Sequence, residues 1–390
     1  MSDSNIYIFS ADAKPKAGGV AEFTHQIAKA LHDLKRLGAV ITPQQQTGAL
    51  PYPIRAPSLP EGLSENTDWE ALKKLQAAWM WGALLRRGGN LAWQQARDRQ
   101  PILFVTYLDA LFGPPILRFC EQAGIRLWTL FHGLEIMQLQ DQHPDLLARA
   151  HRQADRFFFN SRATRDLYRR ETGRNPQSSE ILHPSLDFDK LEALDPEPLP
   201  VEIPGESVVF SSVCRLVERK GLHRAVRAFR EAKADGELKD VVYLIAGKGP
   251  EKKRLRKLAG DEEGRSIFFL GYISDSQKKT LLSRSVGFLH PNYSRNRTDF
   301  EGFGISLVEA AWFGCSVLGG DQGGVPEAIG ELPGCELADT EDGEETQVQI
   351  RRFLEARARR GDSIDDRSEI RHLIRGRLAL QTQLRELLPR

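Results

Sequence analysis

Short apolar runs of strand length alternate with longer stretches of helical periodicity along this chain. That alternation confines it to folds built from parallel α/β units. The runs begin with "NIYIFS" (5–10), "AVIT" (39–42), "PILFVTY" (101–107), "RLWTLFH" (126–132) and "RFFFN" (156–160), with a weaker "EILHP" at 180–184. A passage rich in proline and acid, "DFDKLEALDPEPLPVEIPGE" (187–206), then breaks the rhythm as an interdomain linker would. Beyond it the pattern restarts with "VVFSSVC" (208–214), "VVYLIAG" (241–247), "IFFLGYI" (267–273), "VGFLHP" (286–291) and "SVLGG" (316–320). At 390 residues the chain is too long for one ordinary core and fits two. We expect two doubly wound, Rossmann-like α/β domains facing across a cleft. The first spans 1–187, a linker 188–206 and the second domain 207–362; the amphipathic tail over 363–390 forms a helix packing back on the body.

Composition narrows the function classes. The net charge of +1 gives no electrostatic argument for binding nucleic acid. The four cysteines, Cys120, Cys214, Cys315 and Cys335, are far apart and include no CxxC, which argues against a zinc ribbon or a redox motif. They read as buried thiols of a reducing compartment. The first apolar run is too short for a signal-peptide core, and no uninterrupted apolar run has membrane-spanning length, so the expected location is cytoplasmic. In that compartment the sequons at Asn292 and Asn296 are chance matches.

Ligands of doubly wound domains gather at the carboxyl ends of the strands. The unusual polar and glycine residues fall at or beyond such ends: Gly18 and Gly19, His132, Arg215, the turn Gly247–Lys248–Gly249, Tyr272, Asn292 and Glu301. The densest constellation is "DFEGFGISLVEAA" (299–311), in which Glu301 and Glu309 bracket a glycine-spaced turn and an apolar helix start. Gly302 and Gly304 allow close backbone approach, and a helix beginning near Ile305 offers unpaired N–H groups suited to a phosphate or polar sugar. Glu301 is placed to accept sugar hydroxyls, and Glu309 to reach a ribose diol. The alternative is that Glu309 pairs with a buried arginine and Gly302 merely turns the chain.

Four further segments bear on the same crevice. In "SVCRLVERKGL" (212–222), Arg215 and Lys220 follow a buried strand, where two fixed cations would grip a diphosphate; a solvated basic turn is the alternative. "PKAGGVAEFTHQIAKAL" (15–31) is a strand, Gly-Gly, helix junction in which Gly18 and Gly19 either touch a diphosphate or form a plain loop. It is not GxGxxG, and the chain has no GxxxxGK[ST]. "LWTLFHGLE" (127–135) leaves His132 at a strand end, to bond a sugar hydroxyl or a backbone oxygen. "GGVPEAIG" (323–330) supplies a glycine turn that supports the pocket. The pair Asp187 and Asp189 in "LDFD" has a metal-compatible spacing but sits in the linker without other ligands, so solvated acids, and no metal, are expected.

Together these segments resemble the retaining, GT-B-fold glycosyltransferases of family 4 (glycosyl transferases group 1). The resemblance is dense over about 205–332, through "CRLVERKGL", "IAGKGPE", "FLGYIS", "EGFGISLVEA" and "GGVPEAI". It is thinner before, through "GGVAEFTHQIAKAL", "LFHGLE" and "FNSRATRDL". It implies a metal-independent hexosyl- or N-acetylhexosaminyltransferase that moves a sugar from a UDP- or GDP-linked donor to a glycan or lipid-linked acceptor, with no cofactor. The second domain would bind the donor and the first the acceptor. It assigns Arg215 and Lys220 to the diphosphate, Glu309 to the ribose, and Glu301 with the backbone of Gly302, Phe303, Gly304 and Ile305 to the transferred sugar. Backbone groups near Tyr272 and Ile273 would read the base, and His132 would sit beside the reacting carbon. Transfer would proceed with retention by a front-face route in which the leaving phosphate helps deprotonate the acceptor. Two departures from the family pattern stand out. Cys214 replaces a glycine before Arg215, crowding that turn, and "NYSRNRTDF" (292–300) is long, with Arg295 and Arg297 available to an anionic acceptor or simply solvated.

Residues 69–99 hold four of the six tryptophans amid Lys and Arg. They read as a helical insertion packed on the first domain or, alternatively, as an interfacial element giving peripheral membrane contact at the inner face. Two rival functions remain: a GT-B nucleotide-sugar epimerase, which would convert its donor without an acceptor, and a non-catalytic nucleotide-sugar-binding protein, which would bind without turnover.

Overall fold

The structure, a computed structural model, describes residues 5–14, 18–43, 49–55, 101–204, 207–294, 299–360 and 367–388. The tryptophan-rich segment 69–99 and the arginines Arg295 and Arg297 lie outside the described residues. The chain divides into two compact units, residues 1–185 with 380–390, and residues 186–379.

In the first unit the elements run β1 (Ile6–Ser10), α1 (Gly19–Asp33), β2 (Leu37–Ile41), β3 (Ile54–Arg55), β4 (Ile102–Tyr107), α2 (Gly113–Ala123), β5 (Arg126–Phe131), α3 (Leu134–Gln142), α4 (Pro144–Gln153), β6 (Arg156–Phe159), α5 (Arg162–Thr172) and β7 (Ser179–Ile181). The strands form one sheet in the order β3-β2-β1-β4-β5-β6-β7, every pairing parallel. Parallel strands need crossover helices on both faces, so their side chains are apolar on both sides. Accordingly all five residues of β1 are buried, and Ile8, Phe104, Trp128 and Phe158 share a core with Ile27 and Leu31 of α1.

The second unit runs α6 (Phe188–Ala193), β8 (Val208–Val213), a 3₁₀ turn (Glu218–Lys220), α7 (Leu222–Ala234), β9 (Val241–Ala246), α8 (Lys252–Ala259), β10 (Ile267–Gly271), α9 (Asp275–Arg284), β11 (Ser285–His290), α10 (Ile305–Trp312), β12 (Ser316–Gly320), α11 (Val325–Ile329), β13 (Cys335–Ala338), α12 (Gly343–Arg360) and α13 (Arg367–Leu378). Its sheet has the order β10-β9-β8-β11-β12-β13, again entirely parallel. The direction of winding reverses between β8 and β11. Open α/β sheets place their ligands at the carboxyl ends beside such a reversal.

Two stretches differ from the sequence reading. Within the passage expected to be a linker, Asp187 caps a short helix by accepting from the Lys190 N–H at 3.3 Å, and Leu191 buries in the second unit's core. The tail is two helices rather than one. Ile370, Ile374 and Leu378 of α13 enter a core of the second unit. The chain then breaks at Ala379, and a last helix, α14 (Leu380–Leu387), returns Leu380 and Leu384 to the first unit's core. An amphipathic period shows which residues bury, not which core receives them.

Candidate functional site

The candidate constellation of the second unit is built on the reversal. The loop leaving β8 is stitched to the loop leaving β9 by the Leu216 N–H donating to the Lys248 carbonyl at 2.9 Å and the Glu251 N–H donating to that of Leu216 at 3.0 Å. Glycine is required at the contact. A Cβ at Gly249 would lie 2.2 Å from the Leu216 carbonyl oxygen, and one at Gly247 1.8 Å from that of Cys214. The Cys214 side chain packs against a core cluster, and burial, partly offset by Lys220, pushes its thiol up to about 11. The position expected to crowd the turn is thus taken up by core packing.

The loop then tightens into the 3₁₀ turn carrying Arg219 and Lys220, ending at Gly221 with φ +70°. A Cβ there would meet the Pro291 carbonyl oxygen at 1.9 Å, and the Tyr293 N–H donates to the Arg219 carbonyl at 2.9 Å. The chain after β11 therefore holds the two cations in place.

Opposite them stands the glycine-spaced turn. The Gly324 N–H donates to the Glu301 carbonyl at 2.9 Å. Cβ atoms at Gly323 and Gly324 would fall 2.2 Å and 2.1 Å from the carbonyl oxygens of Glu301 and Gly302. The "GGVPEAIG" turn is therefore the seat on which residues 301 and 302 rest. Gly304, at φ +93°, begins α10 without a side-chain cap among the described residues, and the Leu307 N–H donates back to the Gly304 carbonyl at 3.0 Å. Phe303 is 3% exposed and belongs to a core cluster, against which Ile305 also packs.

Glu301 Oε2 accepts from Lys220 Nζ at 2.5 Å and from Arg219 Nη1 at 2.7 Å. Burial alone would raise this carboxyl, but Lys220 and then Arg219 overcome it and hold it down to about 2. Behind the trio lies His290, 1% exposed, with Nδ1 3.3 Å from the Ser306 hydroxyl and a buried Nε2 that has no hydrogen-bond partner among the described residues. Burial and then Lys220 push its ring down to about 3, so it stands neutral beside the charged groups.

The remaining expected residues are placed differently. Arg215 is exposed and makes no side-chain hydrogen bond or ion pair among the described residues. Glu309 accepts from Lys278 Nζ of α9 at 2.7 Å; the sequence alternative of a buried arginine is met by a lysine instead. Tyr272 is 74% exposed at the end of β10, with Lys248 Nζ 5.6 Å from its ring centroid, while Ile273 is buried beneath. An exposed aromatic face at a strand end offers a stacking surface. Arg219, Lys278 and His290 were not singled out from sequence. Only Arg219 carried a signal, its place directly before Lys220. Among the described residues no group of three His, Cys, Asp or Glu is placed to hold a metal.

In the first unit His132 follows β5. Its Nε2 lies 2.7 Å from the Thr106 carbonyl, and its backbone N–H donates to Glu135. Asn160 Nδ2 donates to the His132 carbonyl at 3.1 Å. A carbonyl only accepts, so Nε2 carries the proton and, in the neutral ring, Nδ1 keeps its lone pair. Gly18, at φ +143°, precedes α1, and among the described residues it has no side-chain cap and neither it nor Gly19 has an atom within 4 Å of a built Cβ.

Residues 198–367 match the family described as glycosyl transferases group 1. The chain is 34% identical over 130 residues to a colanic acid biosynthesis glycosyltransferase, WcaL, of Salmonella typhimurium, covering 33% of this chain and 32% of that one. It is 29% identical over 229 residues to a GDP-mannose-dependent alpha-(1-6)-phosphatidylinositol monomannoside mannosyltransferase of Mycolicibacterium smegmatis, covering 56% and 58%. The chain thus spans about a third of the length of the first of these relatives and over half of the second. Its fold matches Anabaena HepE, solved with UDP and glucose, at a TM-score of 0.66 and 17% identity over 98% of both chains. The fold class is that of two Rossmann-like domains of GT-B type.

Proposed function

We propose, starting from the glycosyl transferases group 1 domain over residues 198–367, that the chain is a retaining glycosyltransferase of family 4 type. It moves a hexosyl or N-acetylhexosaminyl group from a nucleoside-diphosphate sugar to a glycan or lipid-linked acceptor, without a metal. The observation that carries this reading is the 2.5 Å contact between Lys220 and Glu301 at the reversal of the second sheet. A fixed cation beside a fixed carboxylate supports a site for a diphosphate next to sugar hydroxyls.

In this reading Lys220 and the exposed Arg215 take the diphosphate, and the positive charge stabilises the leaving group as the glycosidic bond breaks. Glu301 and the backbone from Gly302 to Ile305 hold the transferred sugar. Glu309 receives the ribose diol while keeping Lys278 as its counter-ion. The Tyr272 face and the backbone at Ile273 take the base. In the first unit, the sequence is what assigns Gly18 and Gly19 to a phosphate, and the family resemblance is what assigns His132, whose Nδ1 is left as an acceptor, to a reacting carbon. The leaving phosphate accepts the acceptor's proton on the face it departs from.

A thermal-shift screen of UDP, GDP and their hexose and N-acetylhexosamine conjugates, in chelator, tests the reading. A native-state ligand raises the transition temperature, and at least one nucleoside diphosphate and its sugar are expected to do so. Hydrolysis or transfer of that sugar separates a transferase from a binder. Recovery of an epimerised donor without transfer, or no response to any nucleotide, counts against the proposal. Among the described residues no helix is long and apolar enough to cross a membrane, and a lipid-linked acceptor would be met at the bilayer surface.

A further inference from the structure

Arg219 and Lys220 are consecutive, yet both reach one oxygen, Glu301 Oε2, at 2.7 and 2.5 Å. The donor-site reading gives Lys220 a second task, the diphosphate. One ammonium cannot fully neutralise both a buried carboxylate and a phosphate. Stripped of its lysine, Glu301 would be left as an uncompensated charge, its side chain only 15% exposed. Arg219 resolves the conflict. Its side chain is 20% exposed, its guanidinium stays charged at any working pH, and the Tyr293 N–H bond to its carbonyl fixes its backbone.

We propose that Arg219 is a positioning residue that keeps Glu301 ionised and aimed at the donor sugar, so that Lys220 is released to the diphosphate. The inference rests on the reading of this unit as a nucleotide-sugar site. Among the described residues the charges that bear on Glu301 are Lys220 and Arg219 from the turn, with the His290 ring of β11 nearby. The Cys214 thiol lies close enough to feel the same carboxylate. Since His290 is neutral and Cys214 uncharged, the two turn cations are its compensating charges among the described residues, and loss of Arg219 would leave Lys220 bound to Glu301.

The test is a double-mutant cycle read by calorimetric binding of UDP and GDP, which requires no turnover. Arg219→Gln is expected to weaken binding roughly tenfold, the scale of one charge-assisted contact. Adding Glu301→Gln should restore it to within about threefold, because Lys220 no longer has a carboxylate to hold it. Arg219→Lys should recover most of the loss, and thermal midpoints of the variants report whether each is folded. Were Arg219 a direct phosphate ligand or a purely structural group, Glu301→Gln would not rescue Arg219→Gln, and that result overturns the inference. A wild-type chain that binds neither nucleotide overturns the donor-site reading itself, an outcome distinct from a failed rescue.

Discussion

The Lys278 ammonium of α9 donates to Glu309 Oε1 of α10 at 2.7 Å, with the two side chains 17% and 18% exposed. Burial alone would lower the lysine, but Glu309 and then Asp275, 3.5 Å away, overcome it and hold it above its ordinary value. The carboxylate inside "ISLVEAAWF" is therefore compensated within the fold. Lys278→Met strips one partner from a largely buried pair and is expected to cost about 3 kcal/mol in denaturant unfolding. The double change Lys278→Met with Glu309→Leu should regain most of it. An unchanged midpoint in the single variant would show the pair to be solvated.

Glu301 gives a pH signature. Its carboxyl is held down to about 2, burial opposing and Lys220 and then Arg219 lowering it, whereas an unfolded glutamate titrates near about 4.3. A folded value below the unfolded one stabilises above the unfolded value and fades as pH falls through the folded one. The contribution is on the order of 3 kcal/mol at neutral pH. The stability gap between wild type and Glu301→Gln should be present at pH 7 and shrink steadily below pH 4. A gap independent of pH would contradict the ion-paired state.

Gly221 is a conformational keystone for Lys220. With φ +70° and a built Cβ 1.9 Å from the Pro291 carbonyl oxygen, Gly221→Ala meets both a left-handed backbone and a clash with main chain. Together these are expected to cost about 2–4 kcal/mol. Thermal unfolding and nucleotide binding should fall together, since the displaced segment carries Lys220. A stable variant with normal binding would mean the turn yields easily.

Donor turnover is expected to survive a chelator. The diphosphate's charge is met by Lys220 and Arg215 in the proposed site, and Asp187 serves as a helix cap. Activity lost in EDTA and restored by a divalent cation would point to a metal in the donor site.

Much of the fold could be read from sequence because buried parallel strands announce themselves as apolar runs. "NIYIFS", "VVYLIAG" and "SVLGG" coincide with β1, β9 and β12 within a residue or so. The strands that were missed are edge strands: β3 has two residues, and β13 buries only Ala338 fully. In the site, the glycine turns were legible because each carries its own local requirement. The pairings were not. Lys278 lies 31 residues from Glu309, and Arg219 lies 82 from Glu301. A lysine on a polar helix or an arginine in a basic turn reads as solvated until the fold supplies its partner. His290 was passed over for the same reason, being the last residue of an ordinary apolar strand.

In the proposed mechanism Lys220 stabilises the leaving diphosphate while Glu301 orients the sugar. The most direct test is turnover of the preferred nucleotide sugar by wild type and Lys220→Ala at matched folding. Removal of one preorganised charge stabiliser is expected to cost roughly 10²–10³ in kcat, about 3–4 kcal/mol. Turnover of Lys220→Ala within a few-fold of wild type would contradict the account.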